Sequence, residues 1–291
     1  MLVSIVSDCV GDPNGKSRFE AAVVSEIPGG QPVCSYSRDA HEAAGNLVDQ
    51  LRRTRNNSAI MLGNVAPRAN RPILSDQNGS DFCYFWLKNK TWPRDKKVLV
   101  LATQDGRTLS LLAKLFGDHD GRLGVNTINL EAAAKQLFPD DELEAYFAAN
   151  SQYRGVDFMV PATAALWAGK ELESKPYVYD VQIEPCAWTV DEFGNVKTTY
   201  LWDVTKPLPK SLLVSIVATS SPYGVYDSEL PVIPRLCDIQ RMQTAVTIGS
   251  SGYGQFRFLE IATRLGRAEA ALTEGWKIES GTSITFHDLP Q

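Results

Sequence analysis

An α/β fold is predicted for this 291-residue chain. It comprises a mostly parallel, Rossmann-like N-terminal sheet flanked by helices, followed by a smaller antiparallel β-barrel domain. Three observations predict it. Short apolar runs alternate with stretches of helical spacing through the first 174 residues, the pattern of parallel strands and their covering helices. Three of those runs lead into a polar residue, Asp8, Asn64 or Asp105, at the strand ends where ligands gather in such sheets. After Lys175-Pro176 the helical spacing gives way to short alternating segments punctuated by Gly, Pro and Asp. The domains are therefore expected at 1-174 and 175-291.

Taken in order, Leu2 to Val6 reads as a buried strand ending at Ser7-Asp8, and Ser17 to Ile27 as the helix after it, closed by Gly29-Gly30. Ala40 to Arg53 has helical spacing, and Ser58 to Gly63 is a second buried strand running into the irregular segment from Asn64 to Arg71. Phe82 to Trp86 is strongly aromatic, either a buried or interface strand or a stacking platform. Lys97 to Ala102 is a further strand, with a helix over Thr108 to Phe116. Helices follow at Leu130 to Leu137, with Asn129 as N-cap, at Glu142 to Asn150, and at Ala162 to Leu172. In the second part, Val178 to Glu184, Cys186 to Val190, Val196 to Trp202, Leu212 to Ala218, Gln243 to Ile248 and Gln255 to Ile261 read as strands. A helix at Ala262 to Leu272 and a closing strand at Gly281 to Phe286 complete the list.

Composition narrows the class of function. Basic and acidic residues number 29 and 34, and no Lys/Arg block stands out, so a nucleic-acid partner is not expected. Five scattered cysteines without a Cys-x-x-Cys pair and three distant histidines argue against zinc, redox motifs or a disulfide framework; no metal site is expected. The N-terminus lacks a signal-peptide pattern and no apolar stretch is of membrane-spanning length, so a cytoplasmic protein without a membrane partner is expected.

The segment Asp191-Glu192-Phe193-Gly194-Asn195 places a carboxylate, a ring and an amide within five residues between two strands. Gly and Asn tolerate positive φ, so it is a hairpin tip. It is either an ordinary turn or a grip for a ligand with an ammonium group, a flat ring and polar ring edges.

Together with an early Asp in an α/β domain, this Asp-x-Phe-Gly-Asn pattern resembles the S-adenosylmethionine hydroxide adenosyltransferases, a family that also contains fluorinases and chlorinases. Further segments agree in order along nearly the whole chain. Ser7-Asp8 with Asp12-Pro13 is similar to the family's opening segment, and Ala102-Thr103-Gln104-Asp105-Gly106 to its Ala-Pro-Asp-Asn-Gly turn. Tyr153-Arg154-Gly155-Val156-Asp157 through Pro161-Ala162 resembles Phe-His-Gly-Arg-Asp through Pro-Ala, and Phe258-Leu259-Glu260-Ile261-Ala262 resembles Tyr-Leu-Glu-Ile-Ala.

The resemblance implies S-adenosylmethionine as the substrate, with no separate cofactor. Asp8 would accept from both ribose hydroxyls, for which a carboxylate offers two oxygens. Asp191 would pair with the methionine ammonium and Asn195 would read the adenine edge, with Phe193, Asp105 and Tyr153 also in the substrate pocket. Ser250 and Arg257 stand in a lengthened region where the family holds the methionine carboxylate, and Arg257 reads equally as a solvated strand residue. The resemblance further implies a homotrimer with its ligand sites at subunit interfaces.

The nucleophile end departs from the family. Hydroxide-using relatives begin the segment aligned with Asn64 to Arg71 with Asp and carry His where Arg154 stands, and halogenating relatives carry Tyr at Asn64. Neither an amide nor a guanidinium serves as a general base near neutrality. Gly155 matches the position of the halide pocket. Arg71 and Arg154 would instead hold an anionic nucleophile or second anion, or Arg154 would pair with Asp157 or a neighbouring subunit. The leading expectation is an enzyme that displaces methionine at C5′ with water, hydroxide or another small anion, with Asn64, Arg71 and Arg154 at the point of attack. The others are a binding protein that kept the adenosyl pocket without chemistry, and a pocket repurposed for an unrelated small molecule.

Overall fold

The computed structural model describes residues 1–65, 80–118, 120–179, 184–217, 225–273 and 277–287. Arg71 lies outside the described residues. The chain divides into two compact units, Met1–Val181 and Gln182–Gln291.

The first unit is built on β1 (Leu2–Ser7), α1 (Pro13–Glu26), β2 (Gln31–Tyr36), α2 (Ala40–Thr54), β3 (Ala59–Asn64), β4 (Phe82–Leu87), β5 (Val98–Thr103) and α3 (Ser110–Phe116). It continues with β6 (Leu123–Ile128), α4 (Leu130–Leu137), α5 (Glu142–Asn150), a π-helical turn at Gly155–Met159, α6 (Val160–Trp167) and β7 (Ser174–Tyr179). Its seven strands form one sheet in the order β2-β1-β3-β5-β4-β6-β7. The first four pair in parallel, whereas β4 runs antiparallel to β5 and β6, and β7 antiparallel to β6. Five of the seven thus point one way.

Strands buried on both faces explain the unbroken apolar runs. On one face Val3, Ile5, Ile60, Leu62, Leu99 and Leu101 pack with Phe19 and Val23 of α1 and with the alanine-rich faces of α4, α5 and α6. Each large side chain so buried contributes about 1.5–3 kcal/mol. The segment α2 contacts β1, β3 and α3, and Leu47 approaches Gly63, whose side of β3 is opposite to that of Leu62.

Local chemistry sets the helix ends. Asp39 caps α2 by accepting from the His41 and Glu42 amides, and Asn129 caps α4, as its sequence position predicts. The helix expected from Ser17 begins earlier, because Asp12 accepts from the Gly15 amide and Pro13 supplies the preset φ of a first-turn residue. Three strands of the sheet depart from expectation, the first being β2 (Gln31–Tyr36), where no strand is expected. The weakly patterned Leu123–Ile128 segment is β6, and Ser174–Tyr179 is β7, which pairs with β6 along six residues. Of the strand expected at Val178 to Glu184 in the second domain, Val178 and Tyr179 belong instead to this edge strand of the first unit, and residues 180 to 183 lie outside the described residues. The two compact units divide after Val181, beyond β7.

The second unit holds β8 (Ala187–Val190), β9 (Val196–Asp203), β10 (Ser211–Val217), β11 (Val225–Pro231), β12 (Thr244–Tyr253), β13 (Phe256–Thr263), α7 (Ala268–Thr273) and β14 (Ser283–Phe286). All described pairings between its strands are antiparallel, in a sheet β11-β10-β14 and a sheet β12-β13-β9-β8. Single bridges join Cys186 to Ser283 and Val232 to Val246, at the edges of these sheets. Val196, Val214, Ile216, Val246, Leu259, Ile261 and Ile284 form the core. The helix expected from Ala262 starts only at Ala268, since β13 keeps its pairing with β12 through Thr263 and a turn follows. All five cysteines are free thiols. No helix among the described residues is long and apolar enough to cross a membrane.

Candidate functional site

Parallel pairing aligns the strand ends of the first unit. Ser7 lies opposite Asn64, and Gly63 opposite Ala102, so Asp8, Asn64 and Asp105 all follow or end strands at one carboxyl rim. Along β3 the side chains alternate, which puts Asn64 on the same face as Ile60 and Leu62, where α1 packs.

There Asn64 meets Gly155. A Cβ at position 155 would stand 2.8 Å from Asn64 Cγ and 2.9 Å from Phe19 Cζ, so only glycine admits both neighbours. Gly155 opens the π-helical turn that leads into α6. Such turns widen one step of a helix and recur at functional sites.

Arg154, the residue before it, is half-buried. Its guanidinium donates from Nη2 to the Ser80 carbonyl at 3.3 Å and sits 5.3 Å from the centroid of the Phe82 ring. Burial pushes its pKa below the usual arginine value while the Asp81 charge opposes the shift; a guanidinium so placed stays cationic. Asp157 accepts a hydrogen bond from Ser151 Oγ, and the acidic charge that acts on Arg154 is that of Asp81.

Tyr153 is 41% exposed, and the Arg18 guanidinium lies 4.5 Å from its ring centroid. Arg18 escaped the sequence reading because a basic residue on a helix carries no sign of what it faces. Such a contact at an exposed position contributes about 0.5–1 kcal/mol.

Asp8 caps no helix through its side chain, and the Cys9 thiol is 3.4 Å from its Oδ1. Asp105 has a different setting. Its Oδ1 accepts from the Arg107 and Thr108 amides and its Oδ2 from the Thr108 hydroxyl, at 2.6 to 2.8 Å. Burial, with the Asp105 charge adding to it, raises the nearby Cys83 thiol to about 12, and the Tyr179 phenol is raised by the same causes. These bonds make Asp105 the organiser of the turn before α3. Asp105→Ala is expected to cost the first unit about 1–3 kcal/mol, because two backbone donors lose their acceptor. Urea unfolding checks this, and a variant of unchanged stability would return Asp105 to the ligand-binding candidates.

In the second unit the Asp191 to Asn195 segment is the β8–β9 hairpin. The Asp191 amide donates to the Asn195 carbonyl and the Gly194 amide to the Asp191 carbonyl. The Asp191 carboxylate turns inward, accepting from the Phe193 and Asn195 amides and from Asn195 Nδ2 at 2.9 to 3.0 Å. Gly194 takes φ 78°, and Arg267 packs where a side chain would project. Phe193 stands 76% exposed at the tip. Any ligand ammonium would share Asp191 with the hairpin.

Ser250 is exposed on β12 beside the irregularity between Ile248 and Gly252. Arg257 faces Gly252 across the β12–β13 ladder and donates to the Gly254 and Phe256 carbonyls, closing the hairpin it belongs to. A row that sequence reading left without a role crosses this sheet, with Thr247 opposite Glu260 and Glu260 opposite Lys197. Lys197 Nζ donates to Ser251 Oγ at 3.1 Å and lies 4.0 Å from Glu260 Oε1 and 5.4 Å from the Trp188 ring centroid. Thr247 and Glu260 are buried in this row, and Lys197 is partly so.

No family model matches the chain, and no curated protein matches it. Among solved structures it is similar to an uncharacterized conserved protein from Thermotoga maritima, with a TM-score of 0.66 and 17% identity over 98% of this chain and 99% of that one. At that identity the shared property is the fold, a helix-flanked mixed sheet followed by antiparallel sheets, carried along the full length of both chains.

Proposed function

We propose that the protein binds S-adenosylmethionine and displaces methionine at C5′ with water, hydroxide or another small anion. The observation that carries the reading is the packing of Asn64 against Gly155 at the strand rim that also holds Asp8, with the half-buried cation of Arg154 in the adjoining position. Asp8 has the oxygens to engage a vicinal diol, and a partly desolvated guanidinium favours an anion beside it.

In this mechanism the nucleophile attacks C5′ in line with the departing sulfur. The C5′–S bond breaks with its electron pair going to sulfur, so the sulfonium leaves as neutral methionine thioether. Neither Asn64 nor Arg154 removes a proton, so the chain's own contribution is orientation and electrostatic holding of a nucleophile that arrives as an anion or loses its proton to solvent. We further propose that the second unit's sheets close as a barrel, that the active form is a cytoplasmic homotrimer, and that Asp191, Phe193 and Asn195 recognise the substrate's amino-acid and adenine ends. A second reading, binding without turnover, draws support from the absence of a base at Asn64 and Arg154.

Calorimetric titration with S-adenosylmethionine, followed by product analysis, tests the proposal. Wild-type protein is expected to bind and to release methionine with adenosine or a 5′-substituted adenosine. Asp8→Ala is expected to weaken binding by about 1.5–3 kcal/mol through loss of charged hydrogen bonds. Binding heat without product supports the second reading, and absence of binding overturns both.

A further inference from the structure

At the opposite end of the first sheet, β4 ends and β5 begins, with Leu87 paired to Val98. This is roughly 17 Å along the strand from the rim that carries Asn64, at about 3.3 Å per residue. A cavity of about 460 Å³ opens there between the 88–97 loop and the end of α6. Its size falls in the range of small-molecule clefts.

The lining is aromatic and cationic. Trp86, Trp92 and Trp167 contribute to it, and the rings of Trp86 and Trp167 approach to 5.6 Å between centroids with 32° between their planes. Lys88, Arg94, Lys96 and Lys97 also line it, and no Asp or Glu is among the described lining residues; Asp95 does not contribute. Four formal positive charges in one cleft stand out in a chain whose net charge is −5. Lys96 is fixed in place, since its ammonium donates to Thr54 Oγ1 at 3.1 Å and to the Arg55 carbonyl and stands 3.9 Å from the Trp92 ring centroid. Arg94 and Lys97 are exposed, and Trp86 is 36% exposed.

A purely structural aromatic cluster has no need of several cations with no acidic residue among its described lining, and a purely solvated basic loop has no need of three indoles. Flat π faces bind planar rings, while cations clustered in one cleft draw an anion. We propose that this cleft is a binding site for a planar aromatic anion of about nucleotide size, its ring on the tryptophan faces and its phosphate or carboxylate on the exposed Lys88, Arg94 and Lys97 cations. The site is separate from the strand rim and stands whether or not the adenosyl reading does.

Equilibrium dialysis with 1-naphthyl phosphate tests it, with 1-naphthol and inorganic phosphate as the ring-only and anion-only arms. Saturable binding of 1-naphthyl phosphate is expected, at least about tenfold tighter than either fragment, a difference of about 1.4 kcal/mol. Arg94→Glu and Trp86→Leu, both at exposed positions, are each expected to weaken it about tenfold. S-adenosylmethionine titrations of the same variants are expected to match wild type, which separates failure of this site from failure of the rim. Absence of saturable binding, equal binding of phosphate alone, or binding untouched by both substitutions overturns the proposal. So does a sedimentation profile in which copies of the chain associate through Trp86 and exclude the probe.

Discussion

Gly155→Ala is expected to destabilise the first unit by about 1–3 kcal/mol, the usual cost of forcing an added methyl into a packed site. The added Cβ would come within 2.8 Å of Asn64 Cγ and 2.9 Å of Phe19 Cζ. Phe19 is 1% exposed and has no room to retreat, so the amide of Asn64 must swing away. The prediction separates packing from position. If Asn64 is the main obstacle, the double variant Gly155→Ala with Asn64→Gly recovers part of the lost stability, with a coupling above about 0.5 kcal/mol. Urea midpoints of the four proteins give the cycle. Strictly additive losses would mean that the two side chains do not compete for the same space. Under the proposed function the single variant also loses turnover, and the double variant does not regain it, because the Asn64 amide is gone.

Phe158→Ala is expected to have the largest effect on stability, about 3–5 kcal/mol, the range for deleting a buried phenyl ring. Phe158 is fully buried within the π-helical turn and stacks on Phe82 with centroids 6.0 Å apart and planes 11° from parallel. Arg154 lies against the same Phe82 ring, so the cavity would undercut the guanidinium as well. For a domain whose whole stability is on the order of 5–15 kcal/mol, this is a large share. Phe158→Leu fills most of the space and is expected to cost appreciably less. Denaturant unfolding of the three proteins decides the matter, and equal midpoints for Phe158→Ala and wild type would refute the packing described for this turn.

How far the sequence could be read varies between elements. Leu130–Leu137 and Glu142–Asn150 match their expected bounds because the cap and the apolar spacing are both local. β1, β3 and β5 were visible as apolar runs because strands buried on both faces need no alternation. β2 was not visible, nor were two others, β6 and β11. Gly124 and Asn126 dilute the first, and the second, Val225–Pro231, alternates polar residues along a sheet edge. β7 was read as belonging to the wrong unit, since a strand's pattern says which face is buried and nothing about its partner.

The candidate site shows the same division. Residue types at strand ends pointed to Asp8, Asn64 and Asp105, and the parallel register brings them to one rim. That Asp105 holds a turn, that Arg257 closes its own hairpin and that Asp191 turns onto its own loop follow from hydrogen bonds whose geometry a spacing does not encode.

By itself the sequence determined the alternation of apolar strands and capped helices, the change of pattern near Pro176, and the hairpin tip at Phe193-Gly194-Asn195. All of these rest on interactions within a few residues. Only the tertiary structure decided that Gly155 makes room for Asn64, that Arg18 lies over Tyr153, and that three tryptophans and four cations share one cleft. Gly155 and Asn64, Arg18 and Tyr153, and Trp167 and the 86–97 segment are each far apart along the chain. Their meeting depends on sheet order and helix packing, which no local propensity specifies.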